Sequence, residues 1–138
     1  MTESVKEYPR VVEYMNKVHC FNDHNNIELT YLKDGYAEGK VLISRNSLNP
    51  YGNVHGGLLY AAADYVGGFA ATGDSRNAVT QSGNINFLLP TSGEYLDIKA
   101  TVVKSGKKVA VVEICIYDDQ GRLTATCTNT YFYVNSIC

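Results

Sequence analysis

The fold of this chain is decided by the stretch Asn49-Pro50-Tyr51-Gly52-Asn53-Val54-His55-Gly56-Gly57-Leu58-Leu59-Tyr60-Ala61-Ala62-Ala63-Asp64-Tyr65-Val66-Gly67-Gly68-Phe69. Asp64 is the one fully charged side chain between Arg45 and Asp74, and its neighbours are small or apolar. A carboxylate is costly to bury without a partner or a purpose. It follows the His-Gly-Gly sequence by about two and a half helical turns, at ~3.6 residues per turn. The stretch therefore predicts a loop that leads into a helix carrying a functional carboxylate.

The predicted central helix covers residues 55–72, and Gly73 is suited to cap its C-terminus. At about 100° per residue the helix has two faces. The apolar face, expected to pack on a sheet, holds Leu58, Leu59, Ala62, Val66, Phe69 and Ala70. The opposite face holds Gly57, Ala61, Asp64, Gly68 and Ala71, which are small enough to leave room for a ligand. Glycines inside a helix are each unfavourable by roughly 1 kcal/mol relative to Ala, so their presence indicates a packing or functional constraint.

The segments on either side of this helix indicate an α+β architecture. A helix is expected over residues 4–19 and a polar connector over 21–26, followed by strands at 28–32 and 36–45 around an Asp-Gly turn. Further strands are expected at 78–88, 95–104, 108–117 and 123–134, and tight turns separate them. This order predicts one domain, 1–138, in which a largely antiparallel sheet wraps one long helix.

Composition excludes several classes of protein. The net charge is −2 and no basic stripe is present, so nucleic acid is not an expected partner. The four cysteines, Cys20, Cys115, Cys127 and Cys138, have no metal-ligand spacing, and no metal site is expected. The N-terminus is polar and charged, without a signal peptide, so we expect a cytoplasmic protein. The longest uncharged stretches are rich in Gly and bounded by Asp64, so no membrane span is expected.

The loop and helix residues supply the parts of an acyl-transfer site. His55 and Gly56 lie at the helix start, where backbone N–H groups carry partial positive charge and can stabilise an oxyanion. Asp64 can act as a general base or as a nucleophile. With Asn49, these residues are sufficient for such chemistry. A purely structural interpretation stays open, in which the glycines permit close packing, Asp64 is solvated and His55 bonds a backbone carbonyl.

At these residues the sequence resembles the hotdog-fold acyl-CoA thioesterases, in particular their phenylacetyl-CoA thioesterase-like (PaaI-type) branch. The resemblance rests on Asn49-x-x-Gly52-x-x-His55-Gly56-Gly57 followed by Asp64, and on the later Asn84-Ile85-Asn86-Phe87-Leu88-Leu89-Pro90. It implies a long helix wrapped by a curved antiparallel sheet. It also implies that two protomers join their sheets edge to edge, and that active sites at the dimer interface hydrolyse a CoA thioester to an acid and CoA.

The resemblance also implies roles for single residues. Asp64 would activate water or attack the thioester, the Gly56 N–H would hold the thioester oxygen, and Asn49 and His55 would orient the thioester and its sulfur. One protomer would supply the carboxylate and the other the Asn-His-Gly loop. A strand hydroxyl would help to position water, and Thr80 is the nearest match. Further candidates for substrate binding are Gly57, Tyr60 and Ser82. No cofactor is expected beyond the CoA of the substrate.

Two other functions remain open at this point. One is a hotdog hydratase or dehydratase acting on acyl carriers, and the other is a non-catalytic acyl-CoA-binding protein. The position of Asp64, nine residues after His55, with Asn49 upstream, favours thioester hydrolysis. The identity of the acyl group, and the choice between a homodimer and a homotetramer, cannot be read from the sequence.

Overall fold

A computed structural model describes residues 7–18, 20–73 and 75–135 of the chain. The helices are α1 (Pro9–Met15), α2 (Phe21–His24) and α3 (Gly56–Thr72), with a short 3-10 turn at Arg45–Ser47. The strands are β1 (Ile27–Lys33), β2 (Tyr36–Leu42), β3 (Asn77–Phe87), β4 (Tyr95–Ser105), β5 (Val109–Asp118) and β6 (Leu123–Val134). Among the described helices, none is long and apolar enough to cross a membrane.

The six strands form one antiparallel sheet in the order β1-β2-β4-β5-β6-β3. β1 and β3 are therefore its edges. Helix α3 packs on one face of the sheet and contacts every strand. The buried residues of α3 and of the inner sheet face form one hydrophobic core. This arrangement confirms the predicted α+β architecture, with a curved sheet around a long central helix.

The predicted faces of α3 are largely correct. His55 is its N-cap and Gly73 its C-cap, and five residues of the apolar face are buried: Leu58, Leu59, Ala62, Val66 and Ala70. Phe69, expected on that face, is only partly buried: it packs against the core and also lines a cavity. Ala71, expected on the open face, is 9% exposed and belongs to the core. The buried surface of α3 is thus wider near its C-terminus than the periodicity predicted.

The N-terminal helix is shorter than expected. α1 covers Pro9–Met15 rather than residues 4–19, because Pro9 favours the first turn and Asn16 ends the helix. The Asn16 side chain bonds the β1 backbone, donating to the Leu29 carbonyl at 2.7 Å and accepting from the Leu29 N–H at 3.1 Å. The helical turn α2 occupies part of the expected connector 21–26. Residues 4–6 and 19 of the prediction lie outside the described residues.

One strand boundary was also wrong. β2 ends at Leu42 instead of residue 45, because Ser44 and Ser47 form a reciprocal capping box around the Arg45–Ser47 turn. The other predicted strands agree with the observed ones to within one residue at each end. Buried and more exposed residues alternate along most of β6, except that Thr124, next to the buried Ala125, is also fully buried and donates to the Ile116 carbonyl.

Two adjacent glycines of α3 have different roles, and alanine substitution separates them. A Cβ at Gly67 would lie 2.5 Å from the Tyr131 hydroxyl and 2.8 Å from Ile114 Cδ1, whereas the nearest contact of a Cβ at Gly68 is Tyr131 Cε1 at 3.6 Å. We expect Gly67→Ala to lower the free energy of unfolding by about 1–3 kcal/mol through overpacking. Gly68→Ala should raise it by up to about 1 kcal/mol, since Ala is the better helix former. Urea unfolding of both variants measures these changes in the free energy of unfolding. Equal changes in the two variants would contradict the different roles of Gly67 and Gly68.

Candidate active site

The Asp64 carboxylate is held through one of its two oxygens. Asp64 Oδ1 accepts hydrogen bonds from Thr80 Oγ1 at 2.7 Å, Asn129 Nδ2 at 3.0 Å and the Tyr131 hydroxyl at 3.2 Å. Asp64 Oδ2 has no hydrogen-bond partner among the described residues. The side chain is partly buried and lines a cavity. The protein therefore fixes the orientation of the carboxylate and leaves one oxygen available to react.

A bulge in β3 brings Thr80 to this carboxylate. Thr80 lies opposite Tyr131 of β6, but Ser82 lies opposite Thr130, so one extra residue enters the ladder between them. Neighbouring residues of a strand point to opposite faces. Thr80 consequently shares the inner face with Tyr131, while Ser82 shares the outer face with Thr130 and is exposed. The structure places Thr80, and not Ser82, against Asp64.

Asn129 and Tyr131 belong to the site although the sequence had not identified them as site residues. Both lie on the inner face of β6 and are at most 2% exposed. The Tyr131 hydroxyl also lies 2.9 Å from the Asp64 carbonyl oxygen, and Asn129 Nδ2 lies 3.1 Å from that hydroxyl. A polar Asn on the buried face of an alternating strand is the signal that could have revealed them, because such a side chain needs partners.

The groups around Asp64 stay protonated at neutral pH. Burial raises the pKa of Tyr131 well above its usual range, and the Asp64 charge raises it further. Burial, and then Asp64, raise the pKa of the Cys127 thiol to about 11. Burial is also the main cause of a raised pKa at Tyr60, whose hydroxyl lies 3.4 Å from Asn129 Oδ1. The carboxylate is thus surrounded by neutral donors.

At the start of α3, the loop presents donors to the outside. His55 Nδ1 accepts the Gly57 N–H at 2.8 Å, and this cap places the proton of a neutral imidazole on Nε2. His55 is exposed. The Gly56 N–H makes no hydrogen bond to any residue in the described part of the chain. The Gly57 N–H serves the cap, so Gly56 N–H and His55 Nε2–H are the donors left for a ligand.

Asn49 supplies a third donor on the same loop. Its Oδ1 accepts from the backbone N–H groups of Tyr51 at 2.9 Å and Asn53 at 3.2 Å, which holds the turn. Gly52 in this turn has a φ of 83°, a conformation that favours glycine. The Asn49 Nδ2 group has no partner among the residues described. The side chain is therefore oriented by its oxygen and offers its amide N–H groups.

The two groups of residues do not meet within one chain. Gly56 and Asp64 are eight positions apart on α3, which corresponds to about 12 Å along the axis at 1.5 Å per residue. A thioester carbonyl bound at the Gly56 N–H could not also contact the carboxylate of the same helix. The structure brings Asp64 together with Thr80, and with Tyr60 through Asn129. Asn49, His55 and Gly56 form a second group, on the loop before α3 and at the start of that helix, apart from Asp64.

Comparison with known proteins identifies the family. The family model described as "Thioesterase superfamily" matches residues 51–125. A putative esterase of Saccharolobus solfataricus is 32% identical over 123 residues, covering 88% of this chain and 81% of that protein. The acyl-coenzyme A thioesterase PaaI of Escherichia coli is 29% identical over 100 residues, covering 72% of this chain and 71% of that one.

Solved structures agree with this assignment. The E. coli PaaI structure superposes with a TM-score of 0.84 at 23% identity, covering 90% of this chain and 91% of that chain. A hypothetical thioesterase of Streptococcus pneumoniae, solved with coenzyme A, gives a TM-score of 0.76 at 29% identity, covering 82% and 89%. The resemblance predicted from Asn49, His55 and Asp64 is therefore confirmed at the level of family and fold. This chain belongs to the thioesterase superfamily and has the hotdog fold of its PaaI-type members.

Proposed function

We propose that this thioesterase hydrolyses an acyl-CoA thioester to a free carboxylic acid and CoA. The observation that carries the proposal is the Asp64 carboxylate, anchored at Oδ1 by three donors and open at Oδ2 beside a cavity. The naming of PaaI as an acyl-coenzyme A thioesterase and the coenzyme A in the streptococcal structure support this substrate class. Two variants of that streptococcal protein have also been solved, one with an Asp replaced by Ala and one with a Thr replaced by Ala. That Asp and that Thr are 16 residues apart, and Asp64 and Thr80 of this chain have the same spacing.

In this mechanism Asp64 is the general base. Asp64 Oδ2 accepts a proton from a water molecule while the water oxygen attacks the thioester carbon. The tetrahedral intermediate then breaks its C–S bond, and the proton on Asp64 passes to the departing CoA sulfur, which restores the carboxylate. The Thr80 hydroxyl donates a hydrogen bond to Asp64 Oδ1. The lone pairs of the Thr80 oxygen therefore remain available to accept a hydrogen bond from that water and orient it. A thioester is already activated, so we propose no metal and no cofactor. A carboxylate, an aimed N–H and the exclusion of bulk solvent around the one reacting water are sufficient.

The other half of the site comes from a second copy of the chain. The Gly56 N–H of that copy would stabilise the oxyanion, and its His55 Nε2–H and Asn49 Nδ2 would orient the leaving sulfur and the thioester. The separation of about 12 Å along α3 supports this division. We propose a homodimer joined through β3, because this eleven-residue edge strand pairs only with β6 among the described strands and long open edges are normally covered. A dimer of dimers would contain the same sites.

Free-thiol release from a panel of acyl-CoAs tests the function. We expect the full chain to release CoA from at least one acyl-CoA, with the free acid as the second product. Binding of acyl-CoA without thiol release would support a binding protein instead. Addition of water to an enoyl-CoA without thiol release would support a hydratase.

Substitution of Thr80 tests its role at the carboxylate. Thr80→Val removes the donor to Asp64 Oδ1 and keeps the shape of the side chain. A hydrogen bond to a charged group contributes about 1.5–3 kcal/mol, so we expect kcat to fall about 10–100-fold. Thr80→Ser keeps the hydroxyl and should stay within about threefold of the unaltered chain. Equal losses of kcat in the two variants would show that the hydroxyl is not what matters.

A further inference from the structure

The three donors to the Asp64 carboxylate differ in their access to water and in their other partners. Thr80 is exposed, whereas Asn129 is fully buried on the inner face of β6. The Tyr131 hydroxyl has one proton and lies closer to the Asp64 carbonyl oxygen, at 2.9 Å, than to Oδ1, at 3.2 Å. The Asn129 amide, 3.0 Å from Oδ1, therefore makes the buried bond that is committed to the carboxylate, and a buried bond of this kind is strengthened by its surroundings.

The Asn129 amide has a partner in every position. Its Nδ2 group donates to Asp64 Oδ1 and to the Tyr131 hydroxyl, which is 3.1 Å away. Its Oδ1 accepts from the Cys127 thiol at 3.2 Å and from the Tyr60 hydroxyl at 3.4 Å. An amide has two N–H donors and two acceptor lone pairs, so these four partners use all of them.

The same partners fix which end of the amide faces Asp64. Exchanging the amide oxygen and nitrogen would set Asn129 Oδ1 against the carboxylate oxygen, and two acceptors would then face each other without a proton. Burial raises the pKa of both Tyr60 and Cys127, so both keep their protons at neutral pH and can donate to Oδ1. The hydroxyl and the thiol therefore hold the amide with its donors toward Asp64.

A glycine on the neighbouring strand makes room for this arrangement. Gly83 of β3 lies directly opposite Asn129 of β6. A Cβ at Gly83 would overlap both the Tyr60 hydroxyl and Asn129 Oδ1. The φ of Gly83 is not positive, so the backbone conformation does not itself require glycine. The space that Tyr60 and Asn129 occupy is what excludes a side chain at this position.

From this network we infer that Asn129 is a positioning residue for the carboxylate of Asp64. Its amide is held by Cys127 and Tyr60 in the space left by Gly83, and it binds Asp64 Oδ1 from the buried side. Oδ2 is thereby the oxygen left to take the proton from water. This role rests on the proposed function and adds to it a residue that acts only through the base.

Asn129→Leu removes the amide and keeps a side chain of similar size. The probe is the acyl-CoA that the unaltered chain hydrolyses fastest. We expect kcat to fall about 10–100-fold, the loss that corresponds to one hydrogen bond to a charged group, with KM little changed. Thr128→Ala is the control, because Thr128 is the exposed neighbour on the opposite face of β6, and it should leave both constants unchanged. A higher KM with unchanged kcat in Asn129→Leu would contradict the inference.

The same substitution in the Asp64→Asn chain separates positioning from a general effect on the fold. If Asn129 acts through the carboxylate, its loss should lower the residual kcat of that chain by less than about threefold. The thermal unfolding midpoint should fall in both backgrounds, since a buried amide is lost in each. An equal loss of kcat in both backgrounds would overturn the inference. Absence of thiol release by the unaltered chain would overturn the proposed function, and the positioning role with it.

Gly83→Ala disturbs the network without removing any of its hydrogen-bonding groups. The added methyl group displaces the Tyr60 hydroxyl and the Asn129 oxygen, so we expect kcat to fall about tenfold or more, with KM little changed. Gly106→Ala adds the same methyl group in the turn between β4 and β5, where the nearest atom is the Val109 carbonyl oxygen at 3.7 Å, and should leave kcat unchanged. Unchanged kcat in Gly83→Ala would contradict the locking of Asn129.

Discussion

Replacing Asp64 with Asn should lower kcat for thioester hydrolysis by about 10²–10⁴-fold, the usual contribution of a positioned general base. The amide is similar in size to the carboxylate, and its oxygen can still accept from Thr80, Asn129 and Tyr131. It cannot take a proton from water at neutral pH. We therefore expect the loss in kcat, with KM for acyl-CoA little changed.

Two controls make this result specific. The thermal unfolding midpoint and circular dichroism of Asp64→Asn should match those of the unaltered chain, since the hydrogen bonds to the side-chain oxygen remain available. Binding of acyl-CoA should also be retained. If kcat remained within tenfold of that of the unaltered chain, Asp64 would not be the base, and the anchored carboxylate would need a structural explanation.

Replacing Gly56 with Pro should lower kcat by about 10²–10³-fold, the usual effect of removing one oxyanion donor. Proline removes the N–H, and the first position of a helix is where proline is best tolerated. His55 before it already has φ −61° and ψ 132°, which is the conformation that a following proline requires. The helix should therefore form normally while the oxyanion loses its donor.

Gly56→Ala is the matched control for this variant. A Cβ at position 56 lies 3.1 Å from Phe87 Cζ, and Phe87 is 54% exposed, so the ring can move to make room for the Cβ that both variants add. Alanine keeps the N–H, and we expect its kcat to stay within about tenfold of that of the unaltered chain. Steady-state kinetics of the pair separates the donor from the added methyl group. Equal kcat in Pro and Ala variants would refute the role of the Gly56 N–H.

The sequence predicted the elements that depend on local signals. The helix that begins near His55 and ends at Gly73, and the Asp-Gly turn between β1 and β2, rest on contacts between near neighbours. The shortening of the N-terminal helix could not be predicted in the same way. It depends on Asn16 pairing with Leu29, a contact made only after the sheet has formed.

The same distinction applies to the site. Asp64 was evident as a lone charge in an apolar stretch, and Thr80 was the nearest match to the strand hydroxyl that the family resemblance implies. Asn129 and Tyr131 are 65 and 67 residues from Asp64, so their approach depends on the register of the sheet. Whether Thr80 or Ser82 faces Asp64 depends on a β-bulge, and no residue type in β3 indicates where that bulge lies.

The central claim is that each active site combines Asp64 of one chain with the Gly56 loop of another. The most direct test is to co-express equal amounts of the Asp64→Asn and Gly56→Pro chains, each of which should alone keep at most about 1% of the unaltered kcat. Random pairing gives each site an intact carboxylate half of the time and an intact loop half of the time. About one quarter of the sites, and hence about one quarter of the unaltered activity, should therefore be recovered. The claim would be contradicted if mass spectrometry showed mixed oligomers but the mixed preparation were no more active than either variant alone. Asp64 and the Gly56 loop of one active site would then come from a single chain.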